Sequence, residues 1–497
     1  MKVLEEYEVN ANGLTAKISI VEDKDFVPNY KINTPEIGPG TEKLLEQVKI
    51  ELIKSTKLQA RDILDPRIAE SIRKEFTSKA SNLIEKYFPD FTKKQKQAIT
   101  GIIVNEMVGL GKIEVPLNDE SLEEIVINGS REPLWVYHKR YGWVKSDLYL
   151  PSEEKILDYA DLIGRRVGRQ INILSPLMDA HLTTGDRVNA TLFPISTQGN
   201  TITIRKFARK PWTITDFIKL GTINEEVSSL IWTAIQYELN VLVSGGTGSG
   251  KTSTLNSILP FIQPNQRIIS IEDTRELSLP KYQHWVPLTT REPNPEGKGE
   301  VSMLDLMVNT LRMRPDRMVV GEIRRQREAE VLFEAMHTGH SVYSTLHADR
   351  AEQVRRRLIT PPINVSESLL ESLHLVLVQY RHRRLGIRRT IEVAEVVPVG
   401  ENSGESSVDM RVLYKWKPRE DKLIKEREPI RFNSELEALT GLTPREIKED
   451  LAEKQKILHW MTEKNINDVH LIGKIIASYY KNKDEILSLA KKGKEYK

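Results

Sequence analysis

Apolar positions recur at helical spacing in two early stretches of the chain: Leu44, Leu45, Val48, Leu52 and Ile53, then Ile99, Ile102, Ile103, Met107 and Leu110. That period predicts two amphipathic helices. Ahead of them, residues 1–40 show short β-like alternation broken by Pro28, Pro35 and Pro39. Pro89 and the basic stretch Lys93-Lys94-Gln95-Lys96 interrupt the helical text, and the lysines read as a solvated helix face. Residues 115–207 turn to short β-rich runs, at 124–127, 134–137 and 201–204, bounded by Asn128-Gly129 and Gly199-Asn200. This is the text of a small α/β domain, which Lys210-Pro211 ends. From there to residue 400 apolar strands alternate with helices, as βαβ units around a parallel sheet do. Two long β-like runs, 390–399 and 408–416, flank the polar stretch 400–407 and predict a hairpin. The remainder is helical, and Thr443-Pro444-Arg445-Glu446 predicts a capping box with proline at the first helical position. No internal repeat is present. The pattern divides the chain into a helix-rich N-terminal extension (1–110), a small α/β domain (111–210), a larger α/β domain with a C-terminal hairpin (211–432) and a helical tail (433–497).

Composition narrows the chemistry. The 497 residues suit about three domains. Lys+Arg total 73 and Asp+Glu 70, a net charge of +3, so nothing in the overall balance demands nucleic acid. With 39% hydrophobic residues the chain reads as globular rather than disordered. Zero cysteines exclude disulfides, thiolate catalysis, Cys-ligated zinc and iron–sulfur clusters, and fit a reducing compartment. No apolar run reaches 18 residues, and the opening Met1-Lys2-Val3-Leu4-Glu5-Glu6-Tyr7 lacks the apolar core of a signal peptide. The expectation is a soluble protein that meets a membrane through a partner or its surface.

The strongest local signal is Gly245-Gly246-Thr247-Gly248-Ser249-Gly250-Lys251-Thr252, with Ser253 following, which fits G-x-x-x-x-G-K-[ST]. Val241-Leu242-Val243 leads in as a strand, and Thr252 opens a helix through Leu255 and Ile258. Glycines let successive N–H groups converge on a phosphate, and the helix start adds its dipole. Lys251 is placed to neutralise β/γ oxygens and the Thr252 hydroxyl to coordinate Mg2+. The segment predicts nucleotide binding.

Carboxylates follow at strand ends. A run at 267–271 leads to Glu272-Asp273-Thr274-Arg275-Glu276, and Met318-Val319-Val320 leads to Gly321-Glu322. Ligands of doubly wound sheets lie beyond the carboxyl ends of strands, so these acids should converge on the Gly-rich loop. Glu276 is the expected general base, and Glu322 the metal-side acid, with Glu272 and Asp273 supporting. Gly321 stands where a Mg2+-binding Asp is usual, which leaves Asp273 as an alternative for that role. His337, His340 and His347 cluster without metal-ligand spacing. Packing is expected for the first two and a γ-phosphate contact for His347. Arg187 and Arg205, in the small domain, are candidates for reaching a triphosphate across a cleft, a contribution of about 10³–10⁵ in kcat. The Arg-dense run 381–389 lacks interleaved aromatics and is expected to be a solvated or protein-facing surface.

Together these segments resemble the secretion-system and type IV pilus ATPases, RecA-like hexameric motors. Four ordered stretches carry the resemblance: 245–252; 271–276, similar to that family's Asp box; 314–322, where Gly321-Glu322 itself matches the family; and 338–347, similar to its His box. The resemblance spans residues 100–400 and implies a RecA-like P-loop ATPase domain preceded by a small PAS-like α/β domain. It implies ATP and Mg2+ as cofactors, Glu276 as catalytic base, Glu322 as Walker B acid and His347 as a phosphate contact. Arg187 and Arg205 match the arginines of the domain before the motor. Helical text after the His-box segment, without a Cys-x-x-Cys insertion, is similar to the archaeal branch, with the archaellum motor ATPase as a close relative. The implied partners are further copies in a hexamer, a polytopic membrane platform protein and pilin-like filament machinery, with the ATPase cytoplasmic and peripheral to the membrane. No nucleic acid is expected. Two rivals stay open: a nucleic-acid translocase on the same sheet, and a nucleotide-binding scaffold that does not hydrolyse.

Overall fold

The alternation at the start of the chain becomes a β-hairpin. β1 (Lys2–Ala11) and β2 (Leu14–Glu22) pair antiparallel across Asn12-Gly13, both at positive φ (57° and 96°), as a two-residue hairpin turn requires. In this computed structural model the described residues are 2–23, 26–35, 37–55, 66–182, 185–207, 210–293, 297–399 and 407–496. They belong to two units, 1–209 and 210–497.

In the first unit the hairpin is followed by β3 (Asn29–Asn33), α1 (Pro39–Ser55), α2 (Pro66–Tyr87), α3 (Lys93–Met107), α4 (Glu114–Asn118), β4 (Leu122–Asn128), β5 (Trp135–His138), β6 (Gly142–Ser146), α5 (Glu153–Arg166), β7 (Leu177–His181), β8 (Arg187–Thr191) and β9 (Thr201–Arg205). All nine strands form one sheet, in the order β1-β2-β3-β6-β5-β4-β9-β8-β7. Its pairs are antiparallel except β3–β6, where Tyr30 stands opposite Ser146. Residues 2–33 are thus continuous with the sheet of residues 122–205, because Ala11, Ala16, Ile18 and Ile20 alternate inward into the core that Ile125, Ile127, Val188 and Ile204 share. α5 starts at Ser152, whose hydroxyl accepts from the Lys155 N–H, and it buries Ile156, Ala160 and Ile163 in that core. Leu44, Leu45, Val48 and Leu52 of α1 and Ile99, Ile103 and Met107 of α3 pack with Phe76, Ala80 and Ile84 of α2 in a separate cluster, whereas Ile53 is exposed and Ile102 and Leu110 pack with the core of the sheet. Buried Asp119 has two donors on one oxygen, the hydroxyls of Tyr7 and Tyr30 at 2.7 Å each.

The second unit runs α6 (Ile214–Lys219), α7 (Glu225–Gln236), β10 (Val241–Gly245), α8 (Lys251–Ile258), β11 (Arg267–Glu272), β12 (His284–Thr289), α9 (Met303–Leu311), β13 (Arg317–Val320), α10 (Gln326–His337), β14 (Ser341–Leu346), α11 (Ala351–Ile359) and α12 (Glu367–Leu370). Then come β15 (Leu375–His382), β16 (Ile387–Val399), β17 (Ser407–Lys417), β18 (Lys422–Lys425), α13 (Arg431–Thr440), α14 (Pro444–Glu463), α15 (Val469–Lys481) and α16 (Lys483–Lys492). The sheet order is β12-β11-β13-β14-β10-β15-β16-β17-β18. Strands β12 to β15 in that order are parallel, and β16 to β18 continue antiparallel. Successive residues of β10 serve opposite faces: Val241 and Val243 join one apolar cluster and Leu242 the other. Burial on both faces is why these strands read as unbroken apolar runs.

The expected hairpin pairs as β16 and β17, although residues 400–406 of its polar connection lie outside the described residues. The capping box at Thr443 forms, with the Thr443 hydroxyl accepting from the Glu446 N–H and Pro444 opening α14. The C-terminal helices are packed onto α7. Trp232 stacks on Phe261 at 5.2 Å and donates from Nε1 to the Tyr480 hydroxyl at 2.9 Å, and buried Lys454 donates to Thr233 at 2.7 Å and Asp450 at 2.5 Å. This unit is a RecA-like P-loop domain, preceded by an α/β unit and carrying helical extensions.

Candidate active site

The Gly-rich loop leaves the carboxyl end of β10 and enters α8 at Lys251. Gly245 is required by its surroundings: at φ 148°, a Cβ there would stand 2.3 Å from the Gln379 carbonyl oxygen. Gly250 caps α8 in the left-handed region (φ 97°) with no side chain bonded over the helix start. The first-turn amides of Lys251, Thr252 and Ser253 therefore carry no side-chain cap, the arrangement an anion-binding helix start needs. Ser249 Oγ donates to the Gly246 carbonyl at 2.8 Å and Lys251 Nζ to the same oxygen at 3.2 Å, which curls the loop back on itself. Thr247 and Gly248 form its tip.

Three further strand ends lie along the same edge, because β11, β13, β14 and β10 are adjacent and parallel. Glu272 ends β11, Gly321-Glu322 follows β13 and His347 follows β14. Ser244 Oγ donates to the carbonyls of Leu346 (3.1 Å) and Ala348 (2.6 Å), so exposed His347 is held beside the phosphate-loop strand. Asp273 and Glu322 come together through Arg324, which donates to Asp273 Oδ2 at 2.6 Å and to Glu322 Oε2 at 2.9 Å. Glu276 is exposed, and its main-chain N–H donates to Glu272 Oε1 at 2.8 Å. Burial pushes the Glu272 carboxyl up to about 7, against the lowering effect of the N–H groups of Glu276 and Leu277. Asp349 also reaches the loop: a Cβ on Gly246 would stand 2.9 Å from its Oδ1.

The donor set fits a phosphate-bound Mg2+ better than a protein-caged ion. Among the described residues no three His, Cys, Asp or Glu are placed to share a metal, and Asp273 and Glu322 already engage a guanidinium. Thr252 and one acid by way of water suit the small hard cation, which keeps several waters and takes phosphate oxygens.

Other expectations turn out differently. The run 381–389 is the hairpin that joins β15 to β16, and arginines on both of its arms are engaged rather than solvated. Arg388 Nε donates to the Gly248 carbonyl at 3.1 Å, Arg381 Nη1 lies 3.0 Å from where a Cβ on Gly248 would be, and buried Arg389 forks onto Asp421 at 2.7 and 2.6 Å. Only Arg383 and Arg384 are fully exposed. The reason is register: Arg381 stands opposite Arg388 across β15 and β16, so both share a face. His337, expected to pack, is exposed at the end of α10, while His340 is half-buried. In the first unit Arg187 and Arg205 are cross-strand neighbours on β8 and β9, and Arg187 pairs with Asp179 at 2.5 Å.

A parallel sheet with a phosphate loop at one strand end and acids at its neighbours defines a P-loop nucleotide-binding fold of the RecA-like class. The chain belongs to the type II/IV secretion system protein family, whose model matches residues 154–403. It is 33% identical to the uncharacterized protein MJ0900 of Methanocaldococcus jannaschii over 395 residues, 78% of this chain and 71% of that one. It is 30% identical to the type IV secretion system protein PtlH of Bordetella pertussis over 308 residues, 55% of this chain and 90% of PtlH. Among solved structures it is similar to the Legionella pneumophila ATPase DotB, at 20% identity and TM-score 0.42 over 73% of this chain and 93% of that one.

Proposed function

We propose that the chain is a Mg2+-dependent ATPase that works as a homohexamer and drives a type IV pilus-like filament or secretion machine in an archaeal cell. The observation that carries the reading is the adjacency, on one edge of one parallel sheet, of the phosphate loop, the Glu272–Glu276 turn, Glu322 and His347. In this reading residues 211–432 are the motor, 111–210 the small domain before it, and 1–110 and 433–497 its extensions. Lys251 and the amides of residues 246–253 hold the phosphates. Bound Mg2+, held by Thr252 and by Glu322 or Asp273 through water, would polarise phosphate oxygens as a Lewis acid. Glu276 takes the proton of the attacking water, and His347 contacts the terminal phosphate. Arg187 and Arg205 are the first unit's candidate arginines for the charge developing on that phosphate.

Kinship with an archaeal protein and with a type IV secretion system protein supports the assignment of class and cell type. No helix among the described residues is long and apolar enough to cross a membrane, so the proposed seat on the cytoplasmic membrane face is provided by a platform partner. The test is steady-state hydrolysis with mass measurement. The expected result is Mg2+-dependent ATP hydrolysis by a six-copy assembly, abolished by Lys251→Ala. Glu276→Gln should bind ATP and lower kcat about 10²–10⁴-fold. Normal turnover by Glu276→Gln would overturn the assignment of the base, and several-fold stimulation by DNA would replace the filament reading with a translocase.

A further inference from the structure

Glu276 is an exposed carboxylate on an irregular turn, and an exposed side chain on a turn has no fixed position unless its backbone is held. Two buried side chains hold it. Glu272, only 2% exposed, folds back so that Oε1 accepts from the N–H of Glu276 at 2.8 Å and of Leu277 at 3.0 Å. Its other oxygen, Oε2, is buried with no hydrogen-bond partner among the described residues. Burying a carboxyl with half of it unpaired is costly, so its service to the turn is the gain that offsets that cost. The second anchor comes from the opposite side. Asn256, 4% exposed, accepts from the Ser278 N–H at 2.8 Å through Oδ1. Asn256 sits on α8, the helix that Lys251 opens, about one and a half turns further on. The turn carrying Glu276 is therefore tied at one end to the strand β11 and at the other to the phosphate-loop helix itself.

We infer that Glu272 and Asn256 are positioning residues that set the Glu276 carboxylate in register with the phosphate loop. The inference rests on reading Glu276 as the base, and it assigns no contact with substrate to either residue. Their removal should move the base without emptying the nucleotide site. Expected for Glu272→Ala and Asn256→Ala is a fall in kcat of about 10- to 100-fold, the usual penalty for misplacing a catalytic group by about 1 Å. The Kd for a fluorescent ATP analogue should stay at the parent value, which also reports that each variant is folded. Glu272→Gln and Asn256→Asp, which keep the accepting oxygens, should recover most of the loss. In a Glu276→Gln background neither alanine change should lower the rate further, because both act through the same carboxylate. A merely structural role would instead lower the rate in that background too, and that result overturns the inference. It is equally overturned if Glu276→Gln is inactive while both alanine variants turn over at the parent rate. Parent-rate turnover by Glu276→Gln would sink the reading of the base instead, which keeps the two failures apart.

Discussion

The two halves of the second sheet bring charge to the same loop by different geometry. In the parallel half every strand ends at one edge, so the residues just past β11, β13 and β14 gather there: Glu272 and Asp273, Glu322, His347. β15, itself parallel to β10, runs past the end of β10 and turns back antiparallel as β16, so the two reach the loop with one face of their hairpin, through Arg381 and Arg388. Strand ends supply the acids and a hairpin face supplies the guanidinium groups. The acids are grouped to act on what the loop holds, whereas the hairpin arginines brace the loop's own backbone.

If that division is right, damage to each half should appear in a different kinetic constant. The largest effect is expected for Arg324→Ala, which unties Asp273 from Glu322: kcat falls about 10- to 100-fold with little change in KM for ATP. Arg324→Lys should restore little of it, because the guanidinium reaches Asp273 and Glu322 from two separate nitrogens held in one rigid plane, and an ammonium is a single point charge on a flexible stem. A smaller effect is expected for Arg388→Ala, which loses the bond to the Gly248 carbonyl: KM for ATP rises about 2- to 10-fold, equivalent to about 0.5–1.5 kcal/mol, while kcat holds. Steady-state kinetics over a range of ATP and Mg2+ reads both. A fall in kcat for Arg388→Ala with a rise in KM for Arg324→Ala would reverse the comparison.

The smallest effect belongs to the opposite edge, where β10 and β15 begin. His374 Nδ1 accepts from the Asn240 N–H at 3.0 Å, and burial, with Arg431 adding to it, pushes the ring down to about 3 from its ordinary 6.5. The folded ring is neutral, so an unfolded chain takes up the proton first as pH falls. The contribution is complete above about pH 6.5 and is lost on the way down to about pH 3. Urea unfolding at pH 7 and pH 5 should show the parent losing on the order of 1–2 kcal/mol more than His374→Asn, which keeps an acceptor but does not titrate. Equal losses would mean that the edge bearing the chemistry, not this one, sets the acid limit.

The same geometry explains what could be read in the sequence. A strand followed by an acid is local text, so Glu276, Glu322 and the loop at Gly245 could be singled out without coordinates, as could the capping box at Thr443. Arg381, Arg388 and Arg389 could not, because their roles depend on strand register: one residue of slip exchanges the faces. Gly386, which takes φ 67° in the turn, was the available signal of a hairpin. Asn256 was hidden for another reason, as was the bond by which Glu272, itself singled out as a strand-end acid, holds the turn, since a side chain accepting from a main-chain N–H leaves no mark in composition or spacing. The hairpin at Asn12-Gly13 carried a strong turn dipeptide, but it joins the larger sheet only through β3, whose parallel neighbour β6 lies more than a hundred residues away.

The tyrosine at 480 has a mechanical corollary. Its hydroxyl accepts from the Trp232 indole and donates to the carbonyl of Phe261, in the short helical turn that continues α8. A pull on the last helices is therefore borne by the same girder that ends in the phosphate loop, with interlocked rings in between and no slack tether. Trimming away the helices from α14 onward would strip the wall from that girder, leaving a Trp–Phe stack facing water.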